Sequence, residues 1–426
     1  MKHVIIGNGI AGISAAETIR KNRPEDEIVI IGNEDGPPYW RASLSKYILD
    51  IIPSQKMKIK PDGWFEKQGI QQIQGDVKRI DGPGSRIFLK QPQAEAEIRF
   101  DRCCIATGAK PVSLSIPGSD LPGVLAFRSL SQANQLKKTL ASIKHLVVIG
   151  GGVLGMEVVE LAVANQINCT VLQRGNLIGT PLVDEHGADI LLRRVTGQDG
   201  VHPPCAEVIF GDGIVEFCSQ NDRLSGIRLQ SGKEIPCGLA VVCIGILPDP
   251  SIVEDSGLAF ERGLLVDEHQ QTNIEGVYGA GDCVIYPTES GGLAPTRTWV
   301  TSRIQGKTAG YNMCGIPSLL FDEGPMYNAS YLFDLLYTVI GDFNPRGGNY
   351  RSFHHHPDPV SYRKLIFKDD RIVGAMMLGD RNGDQAIRRL IAQNVSISSD
   401  LQKQNLLDPA FDPNDLAKEG IEFIMY

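Results

Sequence analysis

His3-Val4-Ile5-Ile6-Gly7-Asn8-Gly9-Ile10-Ala11-Gly12 opens the chain, and Leu146-Val147-Val148-Ile149-Gly150-Gly151-Gly152-Val153-Leu154-Gly155 repeats the same pattern further on. In each copy a β-branched apolar run reads as a buried parallel strand, and G-x-G-x-x-G then opens a helix. The first glycine allows the tight turn, the second lets backbone approach a phosphate, and the third lets helix and strand pack closely. Free N–H groups and the positive dipole end of such a helix hold a pyrophosphate. One such motif alone is weak. Here each copy is followed by an amphipathic helical stretch and a second apolar strand, at 27–31 and 169–172. Two cradles predict two dinucleotides.

The two second strands end differently. In the first unit Glu34 lies about 20 residues beyond Gly12, where a carboxylate accepts from ribose hydroxyls. In the second unit the equivalent place reads Gln173-Arg174, an uncharged hydrogen-bonding side chain beside a cation. The usual acidic mark of NAD is absent there.

A chain of 426 residues exceeds the size at which single cores stop growing, so two or three domains are expected. With 42 basic and 50 acidic residues the net charge is −8 and no basic stripe stands out. Neither nucleic acid nor an anionic membrane surface is therefore expected as a partner. The nine cysteines include no C-x-x-C, and Cys103-Cys104 lie on a strand pattern with opposite-facing side chains. They are expected to be small buried thiols of a reducing compartment, the cytoplasm. The start of the chain reads as the first dinucleotide strand, not as a signal peptide. Segment 145–164 is almost continuously apolar, but Glu157, Glu160 and the glycine turn make it strand then helix, not a membrane span. His354-His355-His356 alternate in direction on extended backbone and make a poor ligand set, so no metal is expected.

Between the motifs, 36–47 reads as a loop leading into a helix, the stretch to about 100 as weakly alternating hairpins, and 117–123 as a linker. Helices are expected at 184–194, 299–314 and 383–394, with strands around 207–217, 224–230, 241–245, 276–282, 365–367 and 374–379. From about 319 the chain turns aromatic-rich and reads as a mixed α+β domain.

Gly7-x-Gly9-x-x-Gly12, Ala106-Thr107-Gly108, Gly150-x-Gly152-x-x-Gly155-x-Glu157 and Val277-Tyr278-Gly279-Ala280-Gly281-Asp282, in that order, resemble the FAD-dependent pyridine-nucleotide oxidoreductases of the glutathione-reductase class. Tyr39-x-Arg41-x-x-Leu44-Ser45-Lys46, Asn328-Ala329 and Gly379-Asp380 are similar to NADH:rubredoxin and ferredoxin reductases and to the flavoprotein part of assimilatory nitrite reductase. The resemblance implies an α/β fold with two Rossmann-like domains, the NAD(P) domain (117–244) inserted in the FAD domain (1–116 and 245–318), and a C-terminal α+β interface domain (319–426). It implies FAD on the first unit and NAD(H) on the second, with NADH favoured and NADPH open.

Residue roles follow from the same resemblance. Asp282 would accept from the flavin ribityl hydroxyls beside Gly281, or else be a plain helix N-cap. Arg41 and Arg128 would face FAD, a guanidinium suiting a pyrophosphate, with a solvated Arg128 as the alternative. Lys46 and Glu157 match a pair beside flavin and nicotinamide, or a structural ion pair. Trp299 would lie near the flavin ring or be an ordinary core residue. Ala106, Thr107 and Gly108 complete the FAD set, and Gly245 the NAD set.

No cysteine precedes Cys103, so 42–46 lacks the relay cysteines that many members of the class carry there. Electrons are then expected to pass straight from flavin to an external one-electron acceptor, an iron–sulfur protein such as rubredoxin or a ferredoxin-like subunit. With no cysteine cluster, these residues are not expected to reduce nitrite themselves. The chain could equally be the FAD subunit of a larger hetero-oligomeric dehydrogenase complex reducing NAD. A different reading takes Gln173-Arg174 as the sign of a decayed NAD site in a flavin-binding assembly subunit without turnover; Gly150, Gly152, Gly155 and Glu157 argue against it.

Overall fold

The opening apolar run becomes the central strand, Lys2–Ile6, of a five-stranded parallel sheet. Residues 3–6 are buried on both faces, which explains why the run is continuously apolar except for His3. The computed structural model describes the chain apart from residues 92–93, 288–292, 295–296, 317–320, 322–323, 346, 413–414 and 417–426. The described chain forms two compact units. The first holds 1–112, 128–130 and 245–323; the second holds 113–127, 131–244 and 324–426.

In the first unit the sheet runs Val277–Gly279, Arg102–Ile105, Lys2–Ile6, Glu27–Gly32, Ile70–Gln74, all parallel. Cys103 packs with Val4 and Ile6 on one face, and Cys104 with Ile5 and Ile13 on the other, as alternation along the strand requires. Helix Ile10–Asn22 lies against helix Trp299–Met313 so closely that a Cβ on Gly306 would collide with the Ala11 carbonyl. The weakly alternating stretch before residue 100 is an antiparallel sheet of Asp76–Asp81, Arg86–Lys90 and Glu95–Arg99.

The second unit repeats the plan. Its parallel sheet runs Glu207–Phe210, Asn168–Gln173, His145–Ile149, Leu239–Val242, Val124–Ala126. The expected helices appear as Glu185–Val195 and Asp384–Ala392. Residues 117–123, read as a linker, are instead bonded to a β-hairpin: Phe217 N–H donates to Pro117 C=O at 2.9 Å and Leu224 N–H to Pro122 C=O at 3.0 Å. A five-stranded antiparallel sheet, Tyr327–Leu332, Leu335–Gly341, Arg371–Leu378, Ser361–Lys368, Arg351–Asp358, carries the aromatic-rich tail. The sequence pattern divides this unit further, and its boundary after 318 falls outside the described residues.

His354 and His356 stack on the buried Tyr362 ring at 5.9 and 5.0 Å, and His354 Nδ1 lies 2.9 Å from the Tyr362 hydroxyl. All nine cysteines are free thiols. Six are buried, but Cys205, Cys218 and Cys243 are only half-buried, against the expectation for them. Among the described residues no helix is long and apolar enough to cross a membrane.

Candidate dinucleotide sites

Gly7 and Gly150 have φ of +109° and +103°, conformations that side chains rarely tolerate. A Cβ on either would also strike backbone, Ala106 in the first unit and Cys243 in the second. Gly12 and Gly155 are likewise closed in, by the carbonyls of Gly7 and Gly150. The middle glycines differ. Nothing lies within 4 Å of a Cβ built on Gly9, and one on Gly152 meets only Thr180 O at 3.4 Å. Folding therefore does not forbid a side chain at Gly9, and the open space suits a phosphate. Gly9 and Gly152 are N-caps with no side-chain hydrogen bond, and neither helix has an acid in its first turn. No capping side chain therefore competes for the first N–H groups of either helix, although in the second cradle Gly151 N–H is already taken by Gln173 Oε1 at 2.9 Å.

A cleft in the first unit is lined by Gly7, Asn33, Val77, Thr107 and Gly108. Glu34 and Arg41, expected at ribose and phosphate, are joined to each other by an ion pair. Tyr39 completes the knot: its hydroxyl donates to Glu34 Oε2 at 2.5 Å and accepts from Arg41 Nη1 and Leu130 N–H, each at 2.9 Å. Burial, opposed by Arg41 and reinforced by the Glu34 bond, pushes the Tyr39 phenol well above its ordinary pKa, so it stays a donor. Arg41 also donates to the Arg128 carbonyl at 2.7 Å. Arg128 in turn reaches Asp282 Oδ2 at 2.6 Å and the Ala109 carbonyl at 2.8 Å. Five of the expected site residues, Glu34, Arg41, Arg128, Gly108 and Asp282, thus fall along one connected stretch, since a Cβ on Gly108 would meet Arg128 at 4.0 Å.

Sequence reasoning missed three neighbours of Asp282. Gln305 is fully buried; its Oε1 accepts from Gly281 N–H at 2.9 Å while its Nε2 has no partner. Arg297 donates to the Ile246 carbonyl at 3.1 Å, but its buried Nε is unpaired. Burial lowers its pKa, with the Asp282 charge opposing the shift. Ser302 donates to Asp282 Oδ1 at 3.4 Å. Trp299 stacks on Trp40 at 4.4 Å, and its buried Nε1 is unpaired too. Unsatisfied buried donors are costly, and three of them on 297–305 fit a bound acceptor-rich group. The signal was present in sequence: Thr301, Ser302, Gln305 and Thr308 put polar residues on the buried face of one helix.

Lys46 lies exposed on the short helix Leu44–Ile48. Glu157 lies half-buried on helix Val153–Ala164 in the second unit, where its charge, after burial, raises the pKa of Cys243 and Tyr337. Gln173 faces the glycine turn and Arg174 is exposed. Gly245 has φ +117° and falls in the first unit, whereas the other residues expected at NAD fall in the second.

A pyridine nucleotide-disulphide oxidoreductase family model matches residues 1–306, and a rubredoxin NAD+ reductase C-terminal domain model matches 333–395. The chain is 27% identical over 425 residues to the nitrite reductase [NAD(P)H] of Bacillus subtilis, covering 95% of this chain but only 49% of that protein. It is 30% identical over 303 residues to the ferredoxin–NAD(+) reductase subunit of a benzene 1,2-dioxygenase system from Pseudomonas putida, covering 71% of each. Its fold matches the ferredoxin reductase for the CYP199A2 system from Rhodopseudomonas palustris with TM-score 0.86 at 23% identity, over 98% of this chain and 99% of the other. The two glycine cradles and the family match across most of the chain agree, and the chain belongs to the pyridine nucleotide-disulphide oxidoreductase family.

Proposed function

We propose that this protein is an FAD-dependent NAD(P)H oxidoreductase that passes electrons between a nicotinamide and an external iron–sulfur protein of the rubredoxin or ferredoxin type. The observation that carries it is the pair of open, uncapped glycine cradles, one in each unit. A bound flavin supplies the conversion of a two-electron hydride into single electrons.

The chain's own residues prepare for that group. Gly7, Gly9 and Gly12 hold a pyrophosphate, with Arg41 and Arg128 as nearby cations and Glu34 at the ribose. Asp282, fixed by Arg128 and Ser302, accepts from ribityl hydroxyls next to Gly281; Thr107 and Gly108 line the cleft beside Gly7, and Ala106 precedes them in the chain. Lys46 brings positive charge to the flavin, and Trp299 an aromatic face. Gly150, Gly152, Gly155, Glu157 and Arg174 serve the nicotinamide nucleotide; Gln173 is treated below. We assign 1–116 and 245–318 to FAD, 117–244 to NAD(P) and 319–426 to an interface domain. Nine unpaired thiols suit the cytoplasm.

The chain spans about half the length of the nitrite reductase it matches, which supports a second reading as the flavin module of a larger assembly. Loading the protein with FAD and adding NADH or NADPH without oxygen tests the proposal: the flavin absorbance bleaches if it holds and persists if it fails.

A further inference from the structure

The side-chain amide of Gln173, at the end of strand Asn168–Gln173, is already committed at both ends. Its Oε1 accepts from Gly151 N–H at 2.9 Å and its Nε2 donates to the Leu177 carbonyl at 2.8 Å. The same loop returns a third bond, Gly179 N–H to the Gly151 carbonyl at 2.7 Å. Both backbone polar groups of the central glycine are therefore held by 173–179. The backbone around this tie is fixed as well: Gly150 N–H donates to Leu172 C=O at 2.9 Å, and Gly211 N–H to Gln173 C=O at 3.0 Å.

These bonds require an amide. A carboxylate here would still accept from Gly151, but it has no donor for Leu177 and would set oxygen against oxygen. The missing acid at this place is thus accounted for by what the loop demands, without invoking a choice of nucleotide or a decayed site.

We propose that Gln173 is a positioning residue, bracing the 150–152 turn against the 174–179 loop so that helix Val153–Ala164 presents its N-terminus ready-formed, and that it does not read the ribose 2′ position. The proposal rests on the nucleotide site assigned above. Selection between NADH and NADPH then falls to other groups, of which the exposed Arg174 is the nearest cation in sequence. Preforming the turn acts on binding: it removes an ordering cost that either nucleotide would otherwise meet.

The test uses the full, FAD-loaded chain with Gln173→Glu and Gln173→Leu. For both variants KM should rise about 5- to 20-fold for NADH and NADPH alike, the loss of one or two neutral hydrogen bonds. Turnover number should move less than about twofold, and the ratio of the two kcat/KM values less than about threefold. A shift of that ratio toward NADH by more than about tenfold in Gln173→Glu, with KM for NADH unchanged, would show a ribose reader and overturn the proposal. Amide exchange in nucleotide-free protein gives a readout apart from turnover: peptides spanning Gly151 and Gly179 should exchange faster in Gln173→Leu, and unchanged protection sinks the bracing role. If wild type oxidises neither nucleotide, the enzymatic reading fails while exchange still decides the brace. Should Gln173→Leu not fold, Gln173→Glu carries the ratio measurement and the exchange at Gly179.

Discussion

Asp282 and Arg128 meet at 2.6 Å, and this ion pair holds the carboxylate beside Gly281 while leaving its other oxygen only a 3.4 Å contact from Ser302. That oxygen is nearly free to accept from a ligand. Asp282→Ala removes the acceptor, yet Arg128 keeps the Ala109 carbonyl, so the fold should survive. Each charge-assisted bond lost costs about 1.5–3 kcal/mol. FAD should bind roughly 10- to 150-fold more weakly, read by titrating apoprotein with the cofactor. Stoichiometric flavin at unchanged affinity would remove Asp282 from the site.

Lys46 offers a different test, because its side chain is exposed while its carbonyl accepts from Ile51 N–H at 2.9 Å and Ile52 N–H at 3.3 Å. Lys46→Met leaves those bonds alone. If the ammonium stabilises negative charge on reduced flavin, the midpoint potential should fall and reduction by nicotinamide should slow, with FAD content near wild type. A loss of about 1–3 kcal/mol corresponds to roughly a 5- to 150-fold slower step in stopped flow. An unaltered potential and rate would make Lys46 a surface residue without a role in the chemistry.

The third prediction concerns acid stability and begins at His3, fully buried in the central strand of the first unit. Its Nε2 lies 2.8 Å from Asp26 Oδ2, and its Nδ1 has no partner. The neutral ring with its proton on Nε2 satisfies this geometry. Burial lowers the His3 pKa below 6.5 in spite of Asp26, so the unfolded chain binds a proton that the folded chain refuses. The stabilisation is complete above about pH 6.5 and declines as pH falls from there toward the folded value. Asp26, held low by His3 and the N-terminus against its own desolvation, adds a loss of the same sign below its ordinary value of 3.8. Denaturant midpoints of the wild type should fall between pH 7 and 5, and those of His3→Gln should fall less. Parallel pH profiles would show that His3 is not the group responsible.

Much of this was readable in advance where one physical signal dominates. The apolar runs before Gly7 and Gly150 are buried on both faces, so their composition could mean little else, and the helix expected at 299–314 forms as Trp299–Met313. Pairings made through loops were not readable. Glu34 meets Arg41 across a bend at 34–37, with the Tyr39 hydroxyl bonded to both, and spacing alone carries no trace of that contact. Arg297 was invisible because its meaning lies in a buried donor left without a partner, whereas Gln305 was signalled only as one of several polar residues on the buried face of its helix. The tail was half seen: 365–367 and 374–379 announce themselves by buried aliphatics, whereas Arg351–Asp358 is a polar, mostly exposed edge strand whose alternation is masked by three histidines.

Of the chain's three tryptophans, Trp40 and Trp299 face one another at 4.4 Å, and Trp64 stands apart, edge-on to Phe65 at 4.9 Å. Indole emission overlaps the absorption of an oxidised isoalloxazine, so with flavin bound as proposed the stacked couple would be an energy donor whose light is spent on the cofactor. Gain and loss of flavin should therefore be written into the protein's own fluorescence, with no label added.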